Sequence, residues 1–252
     1  MKQRRSTSWG GVAGWYDGMV SSDGSYQKDL LLPNLLRLAA PKKGMTVVDV
    51  GCGQGFFSHA YAHLGAQVIG IDIASELIAI AKKEASSIEK FFVNNADNMK
   101  DVKNMCADVV TVVLALQNIE RVDKTLAECA RVLKKNGKIL IVLNHPCFRI
   151  PKQSAWGWDG KGEIQYRRLD QYLSESRSEI EMHPGIQKNQ KTISFHRPLQ
   201  FYFKMLQKNG FVVARLEEWE SHKKSEQGPR QRAEDRARKE MPLFLYIEAV
   251  KF

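Results

Sequence analysis

The sequence predicts an α/β fold with a doubly wound, mostly parallel sheet, on three observations. Short apolar runs alternate with helix-period stretches from residue 46 onward. The runs are rich in β-branched residues and lack polar–apolar alternation, which suits strands covered by helices on both faces. The first run, Val47-Val48-Asp49-Val50, enters a glycine turn, Gly51-Cys52-Gly53-Gln54-Gly55, that opens a helix.

The elements follow in order. Thr46–Val50 reads as a strand, Gln54–Leu64 as a helix and Gln67–Ile71 as a second strand. Ser75–Glu84 places residues 77, 78, 80 and 81 on one apolar helix face, with Ser75 as its N-cap. Lys90–Asn94 and Ala107–Val113 are the third and fourth strands. Arg121–Lys135 carries an apolar stripe and is expected to stop at Asn136-Gly137, a C-cap signal. Lys138–Leu143 is the fifth strand. His145–Ser194 is rich in Trp, Gly and Arg without a clear period and reads as an insertion. A helix at Pro198–Lys208, a strand at Phe211–Leu216, a solvated helix at Arg230–Lys239 and a strand at Leu243–Val250 close the chain.

Composition bounds the function. The 252 residues hold 38 Lys+Arg against 28 Asp+Glu, a net charge of +10, with 43% apolar residues. That balance belongs to a soluble globular chain, and the length suits one domain with a real core. We expect a single domain over 1–252, with a helical cap over 1–40 and an insertion or lid over 146–194. The longest apolar stretch, Val68–Ala81, is interrupted by Asp72 and Glu76, so no membrane insertion is expected. Cys52, Cys106, Cys129 and Cys147 show no C-x-x-C spacing, which argues against a metal site or a disulfide framework and for a cytoplasmic setting.

The glycine turn departs from the dinucleotide fingerprint, because Phe56 stands where a small residue would admit a pyrophosphate. Asp49, just before the glycines, would repel phosphate and suit a cation. Asp72 ends the second strand 21 residues after Gly51, where a carboxylate accepts both hydroxyls of a ribose. Asn94-Asn95-Ala96-Asp97-Asn98 follows the third strand and offers an acid to an adenine amino group. A ligand with a ribose, an adenine, a positive centre and no phosphate is S-adenosylmethionine.

The stretch Val47–Asn144 resembles the core of the class I S-adenosylmethionine-dependent methyltransferases, most closely the small-molecule branch of ubiquinone/menaquinone-type C-methyltransferases. The likeness rests on Asp49–Gly55, Asp72, Asp97-Asn98, Asp108–Asn118 and Arg131–Lys138, in that order. It implies a Rossmann-like sheet of seven strands with the last antiparallel. It also implies that Gly51 and Gly53 admit the methionine part, with Asp49 near its ammonium. Asp72 would hold the ribose, Ile73 would pack on the adenine, and Asp97 with Asn98 would contact the adenine edge. Leu114 would lie beside the sulfonium, and Tyr16 would close over the cofactor. Many members have His-His where this chain has Gln117-Asn118.

The remaining readings concern the acceptor. His145, directly after the fifth strand, lies at the end of the sheet where ligands bind and is the candidate general base. The insertion carries Arg149, Trp156, Trp158, Arg167 and Arg168. Aromatic walls with arginines suit a small, anionic acceptor under a mobile lid. The same composition can grip single-stranded RNA, which makes RNA methylation the alternative activity. A second alternative is a non-catalytic cofactor-binding module on the same fold.

Overall fold

The computed structural model describes Trp9 and residues 13–181 and 191–252, without the side chains of residues 13 and 15–17. Its first elements are helix α1 (Ala13–Ser21), a π-helical turn (Gln27–Leu31) and α2 (Leu32–Ala39). Next come β1 (Thr46–Val50), α3 (Phe56–His63), β2 (Gln67–Asp72), α4 (Ser75–Glu84), β3 (Glu89–Val93) and β4 (Ala107–Val113). A 3₁₀ turn (Leu116–Asn118), α5 (Val122–Val132) and β5 (Leu133–Asn144) follow. Two hairpins come after them, β6 (Ser154–Asp159) with β7 (Ile164–Leu169), and β8 (Ser176–Glu181) with β9 (Lys191–His196). The last elements are α6 (Leu199–Lys208), β10 (Phe211–Trp219), α7 (Gln231–Glu240) and β11 (Phe244–Lys251).

Seven strands form one sheet in the order β10-β11-β5-β4-β1-β2-β3. The pairs from β5 to β3 are parallel, and β11 runs antiparallel to both β5 and β10. Successive residues of the central strands feed two different cores. Val48, Val110, Ile139 and Ile141 pack with Leu126 of α5 and Leu206 of α6. Their neighbours Val47, Val109, Leu140 and Val142 pack with Leu35 of α2 and Tyr61 of α3 on the other face. Both faces are therefore apolar, which is why these strands show no alternation. Each such side chain, fully buried, contributes about 1.5–3 kcal/mol relative to exposure.

Three local expectations need correction. The insertion is regular: it forms two antiparallel hairpins, with exposed and half-buried residues alternating along β8 and over most of β7, and every second residue of β9 buried. Helix α5 ends at Val132, and Asn136-Gly137 lies inside β5, with Asn136 at φ 63°. Beside it the β4–β5 register shifts between Ala107 and Val109, so the signal marks a bulge rather than a cap. Ala74, not Ser75, occupies the N-cap of α4, and its N–H donates to Asp72. Among the described residues no helix is long and apolar enough to cross a membrane.

Candidate functional site

A cavity of about 310 Å³ opens at the carboxyl ends of β1, β2 and β4. The glycine turn forms one wall. The N–H groups of Gly51 and Cys52 both donate to the Ile71 carbonyl, at 2.8 and 3.0 Å, folding the turn back over β2. Gly51 has φ 73°, and a Cβ there would sit 2.5 Å from the Ala115 Cβ. Only glycine fits where the loops after β1 and β4 meet.

Asp72 is held by the backbone alone. Its Oδ2 accepts from the Gly53 N–H at 3.0 Å and its Oδ1 from the Ala74 N–H at 2.8 Å. Each oxygen keeps a further lone pair for the cavity it lines. Burial raises the carboxyl above its ordinary range, against the lowering effect of these backbone donors. Beside it, Ile73 leaves 52% of its surface exposed at the cavity, an apolar shelf for a ligand to cover.

The loop after β3 is a tight turn closed by the Asn98 N–H donating to the Asn95 carbonyl at 2.9 Å. Asp97 in that turn lines the cavity and pairs with Arg121 at 3.2 Å. The exposed Asn98 is not on the cavity wall. Leu114, at the end of β4, lines the cavity in the left-handed region at φ 52°. Its N–H donates to the Val142 carbonyl at 2.8 Å, and its carbonyl accepts from Gln117 Nε2 at 2.9 Å. Gln117 therefore holds the strained turn in place, while Asn118 lies on the wall.

The cavity's charge is distinctive. Asp72, Asp97 and Glu120 face one arginine, Arg121, in a chain of net charge +10. Asn94, 5% exposed, adds a buried Oδ1 with no hydrogen-bond partner among the described residues. A cation with hydrogen-bond donors suits this wall and a pyrophosphate does not.

Besides Asn98, three residues expected at the site lie elsewhere or undescribed. Asp49 is 1% exposed and off the cavity wall; its oxygens accept from the Ser58 hydroxyl at 2.7 Å and the Thr111 hydroxyl at 2.9 Å. Burial pushes its pKa up to about 6 despite both donors. The Tyr16 side chain lies outside the described residues.

His145 is the clearest correction. It is 2% exposed, it is not on the cavity wall, and both ring nitrogens are engaged. Nδ1 accepts from the Cys147 N–H at 3.2 Å, which leaves Nε2 to donate to Glu218 at 2.7 Å. Burial lowers its pKa, favouring this neutral form. The ring fastens the end of β5 to β10 and has no free nitrogen to take a substrate proton. His145→Ala is expected to cost about 1–2 kcal/mol of stability, the scale of a lost buried hydrogen bond, and to leave cofactor affinity unchanged. Urea denaturation and calorimetry with S-adenosylhomocysteine check both halves; intact stability with lost turnover would restore the base.

Two contributors escaped sequence reading. Trp9 lines the cavity from a segment with no periodic signal. Arg197, 4% exposed at the end of β9, donates Nη2 to the carbonyls of Ile119 at 3.0 Å and Glu120 at 2.9 Å. Both are wall residues, so the second hairpin is tied to the cavity.

The chain is similar to known proteins over the same region. A family model described as a methyltransferase domain matches residues 48–141. A ubiquinone biosynthesis O-methyltransferase of Xanthomonas oryzae pv. oryzae is 35% identical over 101 residues, covering 39% of this chain and 42% of that protein. A demethylmenaquinone methyltransferase of Renibacterium salmoninarum is 32% identical over 106 residues, covering 42% of this chain and 44% of that protein. The chain thus spans less than half the length of these curated relatives. A solved structure from Listeria monocytogenes, assigned as an S-adenosylmethionine dependent methyltransferase, superposes with TM-score 0.70 at 25% identity, covering 87% of this chain and 97% of the other. With the glycine turn, the cavity carboxylate of Asp72 and the seven-stranded order already in place, residues 48–141 form a methyltransferase domain, similar to the class I S-adenosylmethionine-dependent methyltransferases.

Proposed function

We propose that the protein transfers a methyl group from S-adenosylmethionine to a small-molecule acceptor. The observation that carries this reading is the acidic, phosphate-averse cavity whose Asp72 is aimed by two backbone donors. The residues present fit the cofactor. Asp72 would take the ribose hydroxyls, Ile73 would cover one face of the adenine, and Asp97 would take its amino edge. Asn94 Oδ1, buried and without a partner among the described residues, offers the ligand a further acceptor. The methionine part would lie against Gly51 and Gly53, with Leu114 beside the sulfonium. The charge of Asp49, buried beneath the turn, would draw the ammonium.

When bound, the cofactor supplies an electrophilic methyl group. The protein's own work is to orient and to exclude water, so positioning carries most of the rate. The two hairpins follow β5 at the cavity end of the sheet, and we assign them to the acceptor side. Arg197 couples the second hairpin to the cavity wall. The four unpaired cysteines suit a reducing, cytoplasmic setting.

A small acceptor is supported over a single-stranded nucleic acid by what already covers the aromatic rings. Trp156 carries Arg149 and Arg167, Trp158 carries Arg230, and Tyr26 carries Lys223, all within 5.7 Å of the ring centroids. Rings so occupied offer bases little face to stack on. The test is a cell extract incubated with the protein and isotopically methyl-labelled cofactor, read by mass spectrometry. Label is expected in the small-molecule fraction. Label in RNA alone would overturn the acceptor class, and no label together with no binding of S-adenosylhomocysteine would overturn the activity.

A further inference from the structure

We propose that Arg149 and Arg167, gathered on Trp156, seat an oxyanion of the methyl acceptor, so that the substrate is a small carboxylate or phosphate. The proposal rests on the methyl-transfer reading and adds the chemistry of its acceptor.

The geometry carries it. The guanidinium carbons of Arg149 and Arg167 lie 5.7 and 5.1 Å from the Trp156 ring centroid. Arg167 is fixed in plane: its Nε donates to the Phe148 carbonyl at 2.9 Å and its Nη2 to the Ser154 hydroxyl at 2.8 Å. Among the described residues Arg149 has no such anchor, and its buried Nε has no hydrogen-bond partner. Among the described residues neither arginine has a carboxylate within 4.0 Å, whereas Arg37, Arg121, Arg131 and Arg168 each have one. Two half-buried guanidinium groups beside one indole, with no counter-charge, repel each other in a poorly hydrated place.

The titration of Arg149 agrees. Burial first, and then the charge of Arg167, bring it down to about 10, with Arg238 of α7 adding to the repulsion. An anion there would offset both repulsions. Guanidinium forks match carboxylate and phosphate oxygens in two parallel hydrogen bonds, and the indole supplies a flat apolar neighbour.

The place is right for an acceptor. Arg149 stands five residues beyond Asn144, the last residue of β5. β5 pairs in parallel with β4, whose end forms the cavity wall, so the chain that carries Arg149, and the Phe148 carbonyl that holds Arg167, leave the sheet at its ligand-binding end, one strand along. The molecule thus separates its charges, an acidic cavity for a cationic cofactor and a basic seat for an anionic acceptor.

The experiment titrates the full chain with benzoate, phenyl phosphate and neutral benzamide at constant ionic strength in sodium chloride, reading the thermal midpoint. Calorimetry with S-adenosylhomocysteine runs in parallel on the same samples. Saturable stabilisation is expected from benzoate or phenyl phosphate and none from benzamide; which anion acts decides between carboxylate and phosphate. Arg149→Met should weaken anion binding at least tenfold while S-adenosylhomocysteine binds as before, and Arg149→Lys, which keeps the charge without the fork, should fall between. If neither anion binds the wild-type protein, or Arg149→Met binds them equally well, the inference is overturned even where S-adenosylhomocysteine binds. Loss of S-adenosylhomocysteine binding in the wild type, with anion binding intact, would instead count against the methyl-transfer reading on which the acceptor assignment depends.

Discussion

Asp72→Ala is expected to weaken S-adenosylhomocysteine binding by about 1.5–3 kcal/mol, or roughly 10- to 150-fold, the scale of hydrogen bonds to a charged group. The size follows from how the carboxylate is held. Gly53 and Ala74 fix both oxygens at 3.0 and 2.8 Å, so little ordering remains to be done when a ligand arrives. The substitution also releases those two N–H groups, so circular dichroism and a thermal midpoint must accompany the calorimetry. A folded variant of unchanged affinity would refute the ribose assignment. Binding should also weaken as pH falls toward the raised pKa of Asp72, because the protonated group accepts less well.

Asp49→Asn is expected to stabilise the free protein. The folded state holds the Asp49 pKa at about 6, above its ordinary value of 3.8, mainly by burial. The folded chain therefore binds that proton more tightly than the unfolded chain. Its contribution to stability is fullest below about pH 4, is lost as pH rises through the folded pKa near 6, and stays lost at pH 7. A shift of that size corresponds to about 3 kcal/mol. The asparagine substitution removes the charge and keeps the shape, and the hydroxyls of Ser58 and Thr111 can turn to serve an amide. Urea denaturation at pH 5 and pH 7.5 should show a gain of up to about 3 kcal/mol at the higher pH and a flatter dependence between the two. A variant no more stable than the wild type at pH 7.5 would show that the ionised form is not a burden. The proposed reason for keeping such a charge is the cofactor's ammonium, so the same substitution should weaken S-adenosylhomocysteine binding.

What the sequence determined by itself is local. β-branched runs from Thr46 to Leu143 are strands because their side chains fill a core on either face, and the turn at Gly51 is written in the residue that tolerates φ 73°. Asp72 was legible because a strand end fixes where its side chain emerges, and the backbone donors that aim it are near neighbours in the chain or in the adjacent turn. The tertiary structure decided whatever depends on a distant partner. β9 buries Thr192, Ser194 and His196 while Ile193 and Phe195 stay half-exposed, so hydropathy could not reveal the hairpin's period. Asn136-Gly137 reads the same as a helix cap or a strand bulge, and the pairing of β5 with β4 chose the bulge. His145 stands at a ligand-binding strand end, yet Glu218, 73 residues away, turns its ring from the cavity. Arg197 reaches Ile119 and Glu120 across 78 and 77 residues, and Trp156 meets Arg149 and Arg167 only once the hairpin has closed. Spacing along a chain sets which face a side chain starts from; the packing of the other elements sets what it finally touches.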